Sequence, residues 1–412
     1  MPKAMLITIG TGEGVENGIA FSIEANNPDF IYFLGTKESQ ATIGKVKEKL
    51  SGRLSLQPEF LEVKDKDDIE SCYLDTRQAI IELLGRGYTL NDIYVDFTSG
   101  TKAMSAGVAL GATSLECKAL VYVTGKRERG GGGRVISGTE RLMVLSPVEF
   151  LVDSRRREIE RLFNACQFDA CLEIIKEIRE KTQDREIQEE FELLKNLVYA
   201  YLYWDRFDHK RSVEHFAKTP RNVQGKWSID TSRNKGFVNK LVHKIGVGEI
   251  PDKYSEEQLA DLFANAARRA KEGKFDDAVA RLYRAVELLS QFFLARKGID
   301  AGDVNIERLP VNLREKYNRM KDTKGKVKIA QERGYTLLEE MGEELGQVFL
   351  NNKRLRNALK SRNDSILAHG LIPISSDDYK RLAEEVTNLA FVFLPALEKL
   401  KTEAKFAHLK LS

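Results

Sequence analysis

Short apolar runs alternate with longer amphipathic stretches through the first 150 residues of this chain. The runs have the length of buried strands, and the stretches between them repeat apolar positions at helical spacing. This rhythm predicts an α/β domain built on an open, doubly wound parallel sheet. The predicted strands are 5–9, 30–34, 60–63, 93–97 and 119–123, and the predicted helices are 14–26, 38–51, 68–86 and 101–114.

A glycine-rich connection, residues 130–133, follows the fifth predicted strand. Two short apolar segments come after it, 134–136 and 142–145, and the chain then reaches Pro147. Glycine-rich runs and proline commonly mark turns and the ends of strands. The pattern predicts a terminal hairpin formed by these two segments.

From about residue 151 the pattern changes to long amphipathic helices, through 155–181, 188–204 and 235–244. Segments 163–170 and 270–278 each resemble a helix, a tight turn and a second helix that opens on an Asp cap. Pro251 and Ser255 supply a break and a helix cap. The fold class is therefore α/β plus all-α, with three predicted domains: a sheet domain at 1–150, a helical linker at 151–250 and a C-terminal helical bundle at 251–412.

Composition narrows the classes of function. The 65 basic and 62 acidic residues nearly cancel, so a nucleic-acid site has to be a local patch. The four cysteines are scattered and form no C-x-x-C pair, so we expect no disulfide framework and no metal. No apolar segment is long enough for a signal peptide or a membrane helix, which predicts a cytoplasmic protein.

Two loops rich in small and hydroxylated residues follow the first and fourth predicted strands. In an open parallel sheet, ligands bind beyond the carboxyl ends of the strands, and loops of backbone N–H groups that open a helix suit phosphates. Val15 stands where a dinucleotide fingerprint needs glycine, and a Walker A loop is absent. Ordinary tight turns with a solvated lysine are the alternative. The candidate ligand-binding residues are Gly10, Thr11, Gly12, Ser99, Gly100, Thr101 and Lys102.

Near the carboxyl end, Arg362 and His369 are seven residues apart, with Asn363 beside the arginine. If 360–369 is helical, the arginine and the histidine lie on one face. An imidazole that moves protons and a guanidinium that holds a phosphate suit cleavage of RNA without a metal. A solvated helix face is the alternative, because such pairs are common on surfaces.

Residues 96–105, after a strand in a Rossmann-like domain that opens on residues 9–12, resemble the CARF domain of type III CRISPR ancillary proteins. The helix 278–288, followed by Arg362, Asn363 and His369, resembles the HEPN ribonucleases, in which four to six residues separate an arginine from a histidine. Together the two ends resemble the CARF–HEPN ribonucleases of the Csm/Csx group. The resemblance spans nearly the whole chain.

This resemblance implies a homodimer whose CARF domains bind a cyclic oligoadenylate, with the tetra-adenylate favoured, through the seven loop residues named above. It implies a HEPN site of Arg362, Asn363 and His369 that cuts single-stranded RNA and leaves 2′,3′-cyclic phosphate ends. Six residues separate Arg362 from His369, so Arg356 and Arg354 are the alternate phosphate ligands. No cofactor, membrane or stable partnership with the CRISPR effector complex is expected.

Two other functions remain open. The chain is alternatively a CARF sensor whose helical half is an inactive dimerisation module, or a ring nuclease that degrades the cyclic oligoadenylate with Thr11 or Lys102. Ring cleavage is also compatible with RNA cleavage in one protein.

Overall fold

The computed structural model describes residues 2–50, 58–127, 135–219, 227–244, 250, 252–363 and 370–411. The chain folds as two compact units. The first comprises Met1–Arg157 with Ile174–Phe191, and the second comprises Glu158–Glu173 with Glu192–Ser412. Among the described helices, none is both long and apolar enough to cross a membrane.

A six-stranded sheet forms the centre of the first unit, with strand order β3-β2-β1-β4-β5-β6. The first five strands are parallel, as predicted, and β6 runs antiparallel to β5. Strand order reverses between β1 and β4, which places the switch point of the sheet between these two strands. The elements are β1 (Ala4–Ile9), α1 (Val15–Asn26), β2 (Phe30–Gly35), α2 (Thr42–Lys49), β3 (Glu59–Glu62), α3 (Ile69–Gly85), β4 (Ile93–Asp96), α4 (Lys102–Ser114), β5 (Ala119–Thr124) and β6 (Arg141–Leu145).

Helices cover both faces of this sheet. Met5 and Ile7 of β1 pack in one apolar core with residues of α1 and α2. Ala4 and Leu6 pack in a second core with residues of α3 and α4. All six residues of β1 are therefore buried. A strand buried on both faces has a continuous apolar run, which is the pattern that the sequence shows.

Helix α4 packs unusually close to α3. A Cβ atom added at Gly107 would lie 2.6 Å from Cβ of Cys72 and 2.7 Å from the carbonyl oxygen of Ile69. Only glycine fits at this contact. The contact sets the position of α4, and with it the loop that opens this helix.

The predicted terminal hairpin is wrong in its pairing. Strand β6 pairs with β5, with Leu145 opposite Leu120 and Arg141 opposite Thr124. Val135 instead forms an isolated bridge with Arg127. Pairing with β5 covers a long sheet edge that would otherwise expose backbone N–H and C=O groups, which a short local hairpin does not do.

The described residues after β6 are mainly helical, as predicted, and they include a two-stranded ladder of β7 with β8. Helices α5 to α7 contribute residues to both units. The elements are α5 (Pro147–Asn164), α6 (Phe168–Lys181), α7 (Arg185–Asp205), α8 (His209–Ala217), β7 (Trp227–Ser228), α9 (Ser232–Lys244), α10 (Glu256–Lys271), α11 (Phe275–Arg296), α12 (Val311–Asn318), α13 (Gln331–Glu340), α14 (Glu344–Asn351), α15 (Lys353–Asn363), α16 (Ser376–Phe393), α17 (Leu397–Glu403) and β8 (Lys410–Leu411).

Both predicted helix–turn–helix segments are present, with left-handed backbone at Cys166 (φ 61°) and Gly273 (φ 76°). The predicted Asp caps are wrong. Asp169 and Asp276 lie inside the first turns of α6 and α11, where a carboxylate also meets the positive end of the helix. The predicted cap at Ser255 is confirmed, since its hydroxyl accepts a hydrogen bond from the backbone N–H of Gln258.

Aromatic rings fill the centre of the second unit. Tyr201 and Trp204 of α7 are fully buried and stack with their ring centroids 6.1 Å apart. The Trp204 indole donates a hydrogen bond of 2.8 Å to the buried carboxylate of Asp261, which also lies 2.8 Å from Nε2 of His209. These bonds satisfy a carboxylate that would be costly to bury alone.

Candidate functional site

The two predicted ligand loops meet at the switch point of the sheet. A Cβ atom added at Gly10 would lie 3.0 Å from the backbone nitrogen of Gly100. Gly100 itself has φ 98°, a conformation that residues with a side chain rarely adopt. The hydroxyl of Thr42, at the start of α2, donates a 3.1 Å hydrogen bond to the carbonyl of Gly10. The fold thus brings residues 10–12 and 99–102 into one surface.

Two of the hydroxyl groups in the candidate loops form hydrogen bonds within the protein. Ser99 is 8% exposed and donates a 2.9 Å hydrogen bond to the carbonyl of Thr8. Thr101 caps α4 by accepting a 3.1 Å hydrogen bond from the backbone N–H of Met104. Ser99 and Thr101 therefore shape the loop from within. Of the seven candidate residues, Thr11, Gly12, Gly100 and Lys102 are the exposed ones.

Lys102 is the first residue of α4, and its side chain is exposed. It forms no salt bridge within the described residues. A cation at the positive end of a helix is unfavourable by a few tenths of a kcal/mol up to about 1 kcal/mol. A bound anion would relieve this repulsion and would meet both the ammonium group and the free N–H groups of the helix end.

A buried carboxyl, Asp96, lies at the end of β4 beneath this surface. It accepts hydrogen bonds from the Ser22 hydroxyl at 2.5 Å and from the backbone N–H of Thr98 at 2.8 Å. Burial raises the pKa of Asp96, against the opposing effect of these two hydrogen bonds. Thr98 in turn accepts a 2.8 Å hydrogen bond from the backbone N–H of Val123 on β5. Asp96 and Thr98 therefore anchor the second loop to the sheet.

The structure adds a residue that the sequence analysis missed, Lys66. The Thr101 hydroxyl donates a hydrogen bond to the Lys66 carbonyl, which brings the loop after β3 to the same edge. Lys66 is exposed and forms no salt bridge in the part of the chain that the structure describes, whereas Lys64 lies 3.6 Å from Asp75. The available signal was its place just after the third predicted strand.

Two of the three proposed RNA-cutting residues, Arg362 and Asn363, lie at the end of α15. The backbone of Arg362 and Asn363 forms the last turn of this helix, which ends at Asn363. The side chains of these two residues, and all of His369, lie outside the described residues. The predicted placement of Arg362 and His369 on one helical face therefore stays a prediction.

The two alternate arginines on α15 differ in their surroundings. Arg356 lies 2.7 Å from the carboxylate of Glu332 and also donates a 3.3 Å hydrogen bond to the carbonyl of Leu350. Arg354 is exposed and has no salt bridge among the described residues. Leu355 and Leu359 are buried and hold the helix against its neighbours. Of the two alternates, Arg354 is the one whose guanidinium is available to a phosphate.

Three of the four cysteines, Cys72, Cys117 and Cys171, are buried in the core, and Cys166 is partly buried. Burial raises the pKa of the Cys72 thiol to about 11 and that of Cys117 to about 12. Thiols with such pKa values are protonated at neutral pH and are poor nucleophiles and metal ligands. The described residues include no group of three His, Cys, Asp or Glu side chains placed to hold a metal ion.

Known proteins resemble this chain over most of its length. The family model for the Csm6 6H domain matches residues 151–245, and that for the Csm6 HEPN domain matches residues 249–392. The CRISPR system endoribonuclease Csm6 of Thermus thermophilus is 24% identical, over 93% of this chain and 85% of the relative.

A solved structure shares the fold. Enterococcus italicus Csm6, bound to cyclic hexa-2′-fluoro-hexa-dAMP, superposes with a TM-score of 0.61 over 98% of both chains at 12% sequence identity. The sheet domain followed by helices is thus a known architecture. The 6H and HEPN matches and the Thermus relative identify this chain as a member of the CARF–HEPN ribonucleases of type III CRISPR systems.

Proposed function

We propose that this chain is an endoribonuclease of type III CRISPR defence that a cyclic oligoadenylate activates. The observation that carries the proposal is the convergence of two N–H-rich loops and an unpaired lysine at the switch point of a sheet domain. Residues 151–245 and 249–392 match the Csm6 6H and HEPN domains, and the Thermus relative is named an endoribonuclease. The proposed domains are CARF at 1–150, a helical region at 151–250 and HEPN at 251–412.

The activator is proposed to bind across a homodimer. A ring of identical nucleotides has rotational symmetry, so a two-fold pair of identical loops offers each half of the ring the same contacts. Backbone N–H groups at Gly12 and Gly100 and the ammonium of Lys102 would meet its phosphates. Ser99 and Thr101 contribute through loop shape, because their hydroxyls are bonded within the protein.

Two ring sizes are candidates for the activator. The tetra-adenylate is the activator expected from the family resemblance. The solved Enterococcus italicus protein is bound to a cyclic analogue that contains six nucleotides. Both rings belong in any test of activation.

The RNA site is proposed to work without a metal. His369 would transfer protons at the 2′-hydroxyl and the leaving oxygen, Arg362 would hold the scissile phosphate, and Asn363 would orient both. Because the substrate's own 2′-oxygen attacks, the products carry 2′,3′-cyclic phosphate and 5′-hydroxyl ends. One helix supplies one such trio, so the site is composite across the dimer, and the ring acts by binding more tightly to the active arrangement of the two trios.

Slow cleavage of the ring in the same pocket is a second proposed activity. The exposed hydroxyl of Thr11 and the unpaired Lys102 lie on the ligand surface, where they would align a 2′-hydroxyl and stabilise charge on a phosphate. This activity would limit the duration of the response.

The deciding experiment is RNA cleavage by the purified protein with no ring, with cyclic tetra-adenylate and with cyclic hexa-adenylate. We expect cleavage that depends on one of the rings, persists in EDTA and disappears in His369→Ala. Ring binding without RNA cleavage would favour a sensor with an inactive helical half. Labelled ring that stays intact on prolonged incubation with His369→Ala would refute the second activity.

A further inference from the structure

A groove in the second unit, outside helix α15, carries a local excess of positive charge. It lies between α9 and α17 and has a volume of about 450 Å³. The exposed surface inside it is mostly apolar, and the charged residues along it are three cations, Arg233, Lys240 and Lys399, and one carboxylate, Glu403. The whole chain, with 65 basic and 62 acidic residues, is almost neutral, so an excess of two charges in one groove is a strong local departure.

The cations of this groove are only partly compensated, since Asp230 lies near enough to Arg233 for the guanidinium to help lower the pKa of that carboxyl. Glu403 lies 3.0 Å from Lys240 and balances that charge. Arg233 and Lys399 are exposed and form no salt bridge within the described residues. The nearest hydrogen bond from Arg233 is a weak one of 3.5 Å to a backbone carbonyl. Helix α9, which supplies Arg233 and Lys240, contains no acidic residue that would offset them.

The floor of the groove is open at Gly236. This glycine is exposed, and a Cβ atom added to it would meet nothing within 4 Å. The neighbouring ring of Phe237 is only 1% exposed, so the groove offers no aromatic face on which a base stacks. Cations over an open floor, without a stacking platform, suit a sugar–phosphate backbone and carry no sequence preference.

We propose that this groove binds the backbone of single-stranded RNA at a distance from the bond that is cut. The proposal rests on the proposed ribonuclease function, which supplies a polyanionic substrate with the complementary charge. A second contact of this kind holds a long RNA near the enzyme between cleavage events. Long RNA is therefore bound more tightly than an oligonucleotide that reaches only the catalytic site.

The test changes one charge at the groove floor. Gly236→Glu and Gly236→Gln add side chains of equal size and improve helix propensity, so both variants should fold, which thermal melting checks. The measurements are the affinity for a long 2′-O-methylated RNA, which cannot be cut, and kcat/KM for long and short unmodified RNA. We expect the Glu variant to bind roughly fourfold more weakly than the Gln variant, from one charge about 5 Å from a phosphate in water.

Salt and a matched surface control complete the design. The difference between the two Gly236 variants should close in high salt and should be larger for long RNA than for short RNA. The control removes two exposed cations that already have partners on α16, Lys380 with Asp377 and Arg381 with Asp378, by substitution to Gln. Equal affinities of the two Gly236 variants for long RNA would overturn the groove proposal. Failure of the unaltered protein to bind or cut any RNA would instead overturn the proposed function.

Discussion

Replacing Lys102 with Ala separates a ligand-binding role from a structural one. The side chain is exposed at the first residue of α4, and the cap of this helix is made by the neighbouring Thr101. No salt bridge of Lys102 exists among the described residues, so the substitution breaks no ion pair there. The fold should lose nothing that the structure shows.

We expect Lys102→Ala to weaken binding of the ring and to stabilise the unliganded protein. Loss of one charge-assisted contact with a phosphate costs about 1.5 to 3 kcal/mol, and the exposure of Lys102 favours the lower end of that range. At about 1.4 kcal/mol for each tenfold change, and with the lysine supplied twice by the proposed dimer, affinity for the ring should fall roughly a hundredfold. Removal of a cation from the positive end of α4 should stabilise the unliganded protein by about 0.3 to 1 kcal/mol.

Two measurements on the same preparation decide the matter. Titration calorimetry with the cyclic oligoadenylate gives the affinity, and thermal melting without ligand gives the stability. Lys49→Ala serves as the control, because Lys49 is an exposed lysine at the last residue of α2, away from the start of that helix near Gly10. Unchanged affinity in Lys102→Ala would refute the assignment, and a lower melting temperature would show that the lysine has a structural role instead.

Three further outcomes follow from the structure. His369→Ala should lower the rate of RNA cleavage by roughly a hundredfold or more while ring affinity stays the same, which a fluorescent RNA assay and calorimetry check, and a fully active variant would contradict the proposed chemistry. Asp96→Asn should become more stable relative to the unaltered protein as pH rises above about 4. The folded protein holds the pKa of Asp96 above its usual value, so the unaltered protein is most stable when this carboxyl is protonated. Its stability then falls as the pH rises through the pKa of the folded state, whereas the asparagine does not titrate. Equal pH dependence of the two melting curves would refute that reasoning. Gly107→Ala should cost about 1 to 3 kcal/mol, because its methyl group would meet Cys72, and an unchanged midpoint in urea would be inconsistent with the close helix contact.

Much of the architecture follows from local patterns in the sequence. The apolar run of β1 predicts a buried strand, and Ser255 after the break at Pro251 predicts a helix start. Both signals are encoded within a few neighbouring residues. The small number and wide spacing of the cysteines argue against a disulfide framework, and both can be read directly from the sequence. The two candidate loops are also visible as glycine and hydroxyl residues after apolar runs.

Only the tertiary structure decides which distant segments meet. The order of the strands puts β1 beside β4, so that Gly10 touches Gly100, and it gives β6 to β5 and not to the nearer segment around Val135. Tertiary packing also turns the Ser99 hydroxyl inward, brings the Lys66 carbonyl to Thr101 and pairs Arg356 with Glu332. The sequence by itself determined the parallel strands and helices of the sheet domain and the change to helices after it, because hydrophobic periodicity acts over neighbouring residues. Strand order and side-chain partners depend on packing between residues far apart in the chain, for which no local spacing carries a signal.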